Sequence, residues 1–75
     1  MEEQIKTIMA KTFGVSLETI SDDASPHTIE KWDSLTHIDL ILALQEEFNI
    51  RFDDDEIPTM VSFQMIVNTI KVYQE

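Results

Sequence analysis

Residues 32–48 read WDSLTHIDLILALQEEF, and the fold follows from how this run is parsed. Asp33 is a good N-cap, because a short carboxylate accepts backbone N–H groups left without partners at a helix start. Ser34 then falls in the first turn, unless its own hydroxyl is the cap. Leu40, Ile41, Leu44 and Phe48 recur at helical spacing and form one apolar row. Leu35, Ile38 and Leu42 form a second row, beside Asp39 and Glu46. A helix at the edge of a small bundle needs one buried stripe of roughly 100°. The second row therefore has two readings. It is an exposed contact surface flanked by acids, or the helix is central and buries both rows. Asn49 suits the helix end.

Working outward, residues 2–13 form a helix with Ile5, Ile8, Met9, Thr12 and Phe13 on one buried stripe. Gly14, the only glycine, is its natural C-cap. Residues 14–33 are a long connection, unusual in a small domain unless it packs. Val15, Leu17, Ile20, Ile29 and Trp32 give it the means to lie on the bundle. Ser16 to Ile20 suit a helical turn, and Pro26 rules out a helix across the middle. After the central helix, Ile50 and Phe52 are apolar anchors in an extended link. Asp53 or Asp54 then caps a short, irregular third helix with Ile57 and Met60 inward, curtailed by Pro58. Ser62 caps a last helix over 63–74, whose stripe is Phe63, Ile66, Val67, Ile70 and Tyr73. The expected fold is an all-α four-helix bundle, three main helices and a short third one, in a single domain over 1–75.

The 75 residues carry fifteen acids against five bases, a formal net charge of −10. Such a surface repels nucleic-acid phosphates and anionic lipid and attracts basic protein patches. There is no cysteine, which excludes disulfides, thiolate metal sites and a cysteine nucleophile. Any thiol chemistry must come from an attached group. The start, Met1-Glu2-Glu3-Gln4, has no basic or apolar signal character. The longest apolar run, Leu40 to Leu44, is far short of the ~20 residues needed to span a bilayer. A monomeric cytoplasmic protein with no membrane insertion is expected.

Ser34 admits three readings. It is a helix-start serine, a nucleophile, or a hydroxyl modified by another enzyme. The nucleophile reading needs a base oriented by a third group. His37, one turn later, is the only candidate, and no glycine-rich oxyanion site is near. His27 and His37 lack partners at metal-ligand spacing and read as surface residues. Asp53-Asp54-Asp55-Glu56 lacks the spacing and central glycine of a calcium loop and reads as a solvated acidic turn.

Asp33-Ser34-Leu35, Ile38-Asp39-Leu40 and Ala43-Leu44-Gln45-Glu46-Glu47-Phe48 resemble the modification site and second helix of acyl carrier proteins. The resemblance extends over the whole chain, through the long first loop, the Ile50/Phe52 link with its acidic turn, and Val61-Ser62-Phe63. It implies that a phosphopantetheinyl transferase, using magnesium, moves 4′-phosphopantetheine from coenzyme A to Ser34. The arm's thiol then carries acyl groups as thioesters to partner enzymes of fatty acid, polyketide or related biosynthesis. No catalysis by the chain itself is implied. The family's acidic docking positions match Asp33, Asp39, Glu46 and Glu47, and its apolar contacts match Leu35, Ile38 and Leu42. Partners with basic docking patches are implied. A short acyl chain is implied to tuck between the second and third helices, against Ile41, Leu44, Ile57, Met60 and Ile66. A phosphodiester at a helix N-terminus gains roughly 0.3–1 kcal/mol. Asp33 opposes it, so the linkage is expected to be exposed and solvated.

Four positions depart from the pattern of fatty-acid-synthesis carriers. Lys31-Trp32 stands where Gly-Ala is usual, Thr36 where an acid is usual, and Pro58 where a helix former is usual. They fit a stand-alone carrier of a dedicated pathway, such as polyketide, peptide or surface-polysaccharide assembly. The alternative is an unmodified acidic helical adaptor that binds a basic partner.

Overall fold

Each helix starts or stops where local chemistry supplies backbone partners. The computed structural model describes residues 1–74. Helix α1 runs Glu2–Phe13 and ends at Gly14, whose φ of 68° is the left-handed cap. The N–H groups of Gly14 and Val15 both return to the Ala10 carbonyl. Helix α2 runs Ser34–Phe48 between the cap Asp33 and a left-handed Asn49 at φ 54°. Helix α3 runs Phe63–Gln74, and the Ser62 hydroxyl accepts the Met65 N–H at 3.1 Å. There are no strands among the described residues, so the fold is an all-helical bundle.

The long first connection is packed down rather than looped out. It contains one 3₁₀ turn, Leu17–Thr19. Ile20, Ala24, Ile29 and Trp32 are buried in the common core. The Ala24 carbonyl accepts the Phe63 N–H at 2.9 Å, which ties the loop to the start of α3. Lys6 pairs with Asp22 at 2.8 Å and ties it to α1. The radius of gyration, 11.1 Å, matches the roughly 11 Å of a folded chain this long. Leu17 differs from expectation: it is 44% exposed, because its 3₁₀ turn presents it outward while Ile20 takes the buried position. Ile8, Thr12 and Tyr73 lie half-buried at the core margin.

The third helix is reduced to one 3₁₀ turn, Ile57–Thr59. Pro58 sits in its first positions and donates no N–H, and Met60 ends the turn at ψ 55°. Met60 is fully buried, but Ile57 is only half-buried. The core gathers Ile5, Met9 and Phe13 from α1, Leu40, Ile41 and Leu44 from α2, and Phe63, Ile66 and Ile70 from α3.

Candidate functional site

The N-terminus of α2 is held by a reciprocal pair of hydrogen bonds. Asp33 Oδ1 accepts the N–H groups of Leu35 and Thr36, each at 3.0 Å. Thr36 Oγ1 accepts the Asp33 N–H at 2.9 Å and donates to the Lys31 carbonyl at 2.7 Å. The Thr36 N–H, first among these contacts, holds the Asp33 carboxyl below its ordinary range. Thr36, a departure from the family pattern, thus completes the capping box. Because Asp33 and Thr36 do the capping, Ser34 is not needed for it. Ser34 is exposed in the first turn, at the positive end of a 15-residue helix.

The two apolar rows of α2 separate cleanly. Leu40, Ile41 and Leu44 are buried, with Phe48 at the margin. Leu35, Ile38 and Leu42 are 78%, 50% and 57% exposed. Asp39, Glu46 and Glu47 are exposed on the same helix. Glu47 accepts a hydrogen bond from Gln4 Nε2 at 2.7 Å. An edge helix buries one stripe, so the second row is left at the surface.

His37 corrects the expectation of a surface histidine. It is half-buried, and both ring nitrogens are engaged. The Trp32 indole donates Nε1–H to His37 Nδ1 at 3.0 Å. With Nδ1 accepting, the neutral ring carries its proton on Nε2, which donates to the Ile57 carbonyl at 2.8 Å. The two rings lie stacked, 6.1 Å apart and 22° from parallel. Behind Trp32 lies Phe13, with ring centroids 5.2 Å apart. Trp32, α2 and the 57–59 turn are thereby joined in one chain, each bond worth about 1 kcal/mol net. His37 is committed to this chain and does not serve Ser34 as a base. Its signal in the sequence was positional, for His37 continues the buried series Ile41, Leu44, Phe48 one turn back.

Beside Ser34 lies an open groove of about 500 Å³, walled mainly by Trp32, His37, Ile38, Ile57, Pro58 and Val61. Of the five positions implied as an acyl pocket, only Ile57 lines it. Ile41, Leu44, Met60 and Ile66 lie behind, buried in the core. Sequence reasoning did not find Trp32, His37 or Val61 as groove residues.

The family model "Phosphopantetheine attachment site" matches residues 3–70. An acyl carrier protein of Buchnera aphidicola subsp. Baizongia pistaciae is 36% identical over 73 residues, 97% of this chain and 94% of that protein. The chain belongs to the acyl carrier protein family. It is a carrier rather than an enzyme, and it bears acyl groups on covalent 4′-phosphopantetheine for biosynthetic enzymes. The arm supplies a thiol that the cysteine-free chain lacks. The fit is good: the N-terminus of α2 offers an uncommitted exposed hydroxyl with an apolar groove alongside. No helix among the described residues is long and apolar enough to cross a membrane.

Proposed function

We propose that Ser34 is the attachment residue and that the exposed face of α2 is where partner enzymes dock. The observation that carries this is the Ser34 hydroxyl, exposed and relieved of capping by Asp33 and Thr36. Its oxygen attacks the pantetheine-side phosphorus of coenzyme A. The new Ser34 O–P bond forms as the phosphoanhydride bond breaks, adenosine 3′,5′-bisphosphate leaves, and the hydroxyl proton passes to the transferase. The phosphodiester then sits at a helix N-terminus, where the dipole favours an anion. The neighbouring Asp33 carboxylate keeps the linkage turned to solvent.

Leu35, Ile38 and Leu42 supply the apolar contact, with Asp33, Asp39, Glu46 and Glu47 around them. Partners, the phosphopantetheinyl transferase included, present basic patches that this charge steers toward the face. The protein works as a cytoplasmic monomer and engages no nucleic acid. The test is mass measurement after incubation with coenzyme A, magnesium and a broad-specificity transferase. Wild type gains one phosphopantetheine, and Ser34→Ala gains nothing. A modified Ser34→Ala protein moves the site elsewhere. An unmodified wild type counts against Ser34 as the attachment residue.

A further inference from the structure

We propose that cargo carried on Ser34 lies in the surface groove beside it and is kept out of the helical core, which suits this carrier to short acyl groups. The inference rests on Ser34 being the attachment residue. A chain entering the core toward Leu44 and Ile66 has to part the foot of α2 from the 57–59 turn. That seam is closed by the Trp32–His37–Ile57 hydrogen bonds. The indole is fixed on its other side by Phe13, so it does not swing away as a free side chain would. Parting the seam strands the indole N–H and the Ile57 carbonyl. Of the other groove walls, Pro26, Ile38, Pro58 and Val61 offer neither of them a side-chain partner, while Asp33 is engaged in capping α2 and Ser34 carries the arm. Behind the seam, Ile41, Leu44, Met60 and Ile66 are 0–3% exposed within one continuous core.

The groove itself is open and already formed. Its apolar walls shelter the thioester end and the first carbons of an acyl group. A longer tail runs past Val61 into water and gains nothing from the protein. His37 is therefore a positioning residue for cargo: it shapes the groove and holds the turn against α2.

The experiment loads Ser34 with acetyl-, butyryl- or octanoyl-phosphopantetheine from the matching acyl-coenzyme A, with mass confirming one arm per chain. Methyl and indole NMR spectra and urea midpoints are then compared. Groove signals from Trp32 Nε1–H, Ile38, Ile57 and Val61 should shift in all three forms. Those of Ile41, Leu44, Met60 and Ile66 should not differ between acetyl and octanoyl forms, and the urea midpoint should not rise with chain length. Octanoyl-specific shifts at Leu44 and Ile66, with a rising midpoint, overturn the proposal. Unmoved groove signals overturn the groove as the cargo's seat. His37→Ala cuts both bonds and should let octanoyl reach Leu44 and Ile66. His37→Gln, able to accept and donate at the same places, should behave as wild type. If His37→Ala still excludes octanoyl, the seam is not the barrier. Failure to gain mass at Ser34 instead defeats the attachment reading itself.

Discussion

Gly14 and Asn49 hold left-handed backbone at the ends of α1 and α2, and they carry different penalties for replacement. A Cβ placed on Gly14 meets no atom within 4 Å. The penalty of Gly14→Ala is therefore backbone strain alone, about 1 kcal/mol. Gly14→Asn should lose less, since Asn tolerates this conformation, as Asn49 does at φ 54°. Urea unfolding of the two variants would check the order; equal losses would mean that something other than φ is at stake. Polar residues at the site show how far single positions can be read. Asp33 was legible as a cap because capping is a contact with the next few residues. For His37, the spacing one turn before Ile41 signals burial but not the bond to Ile57, which lies 20 residues away.

Between elements, Tyr73 near the end of α3 reaches back to the turn before the 57–59 segment. Its hydroxyl donates to the Glu56 carboxylate, which also accepts the Asp53 N–H at 2.9 Å. The Tyr73 bond first, and the Asp53 N–H second, hold the Glu56 carboxyl below its ordinary range. The Glu56 bond in turn raises the Tyr73 hydroxyl above its own. The link therefore supports folding fully at neutral pH. It is lost as pH falls through the lowered Glu56 value, and again as pH rises through the raised Tyr73 value. Tyr73→Phe should unfold at lower urea than wild type near pH 7, and the gap should close in acid. A gap that stays constant from neutral to strongly acidic pH would mean that the hydroxyl acts independently of the Glu56 charge, since the variant keeps the ring and its packing on Phe52, centroids 5.5 Å apart. Helix bounds at Glu2–Phe13, Ser34–Phe48 and Phe63–Gln74 were legible because Gly14, Asp33, Asn49 and Ser62 are local stop and start signals. The extent of the third helix was not, since Pro58 is compatible with a first turn of either kind. The burial of Ala24 under α3 was likewise invisible, because it depends on a contact with Phe63.

At the scale of the molecule, charge dominates. With a formal net charge of −10, Lys6–Asp22 is the one ion pair among the described residues. Self-repulsion is thus largely unrelieved, and raising sodium chloride from low concentration should raise the melting temperature. A melting temperature that is flat or falling with salt would contradict this. On the docking proposed for α2, the same field steers partners. Glu46→Lys should slow loading by a transferase at low salt while leaving the urea midpoint nearly unchanged, and the defect should shrink as salt is added. Normal loading of Glu46→Lys at low salt would remove steering as the explanation. The hydrogen bond from Phe63 to Ala24 bears on how this fold is reached as well as on how it is held. The Ala24 carbonyl finds its backbone partner only in the final helix, so the first connection is not pinned there until that helix packs against it.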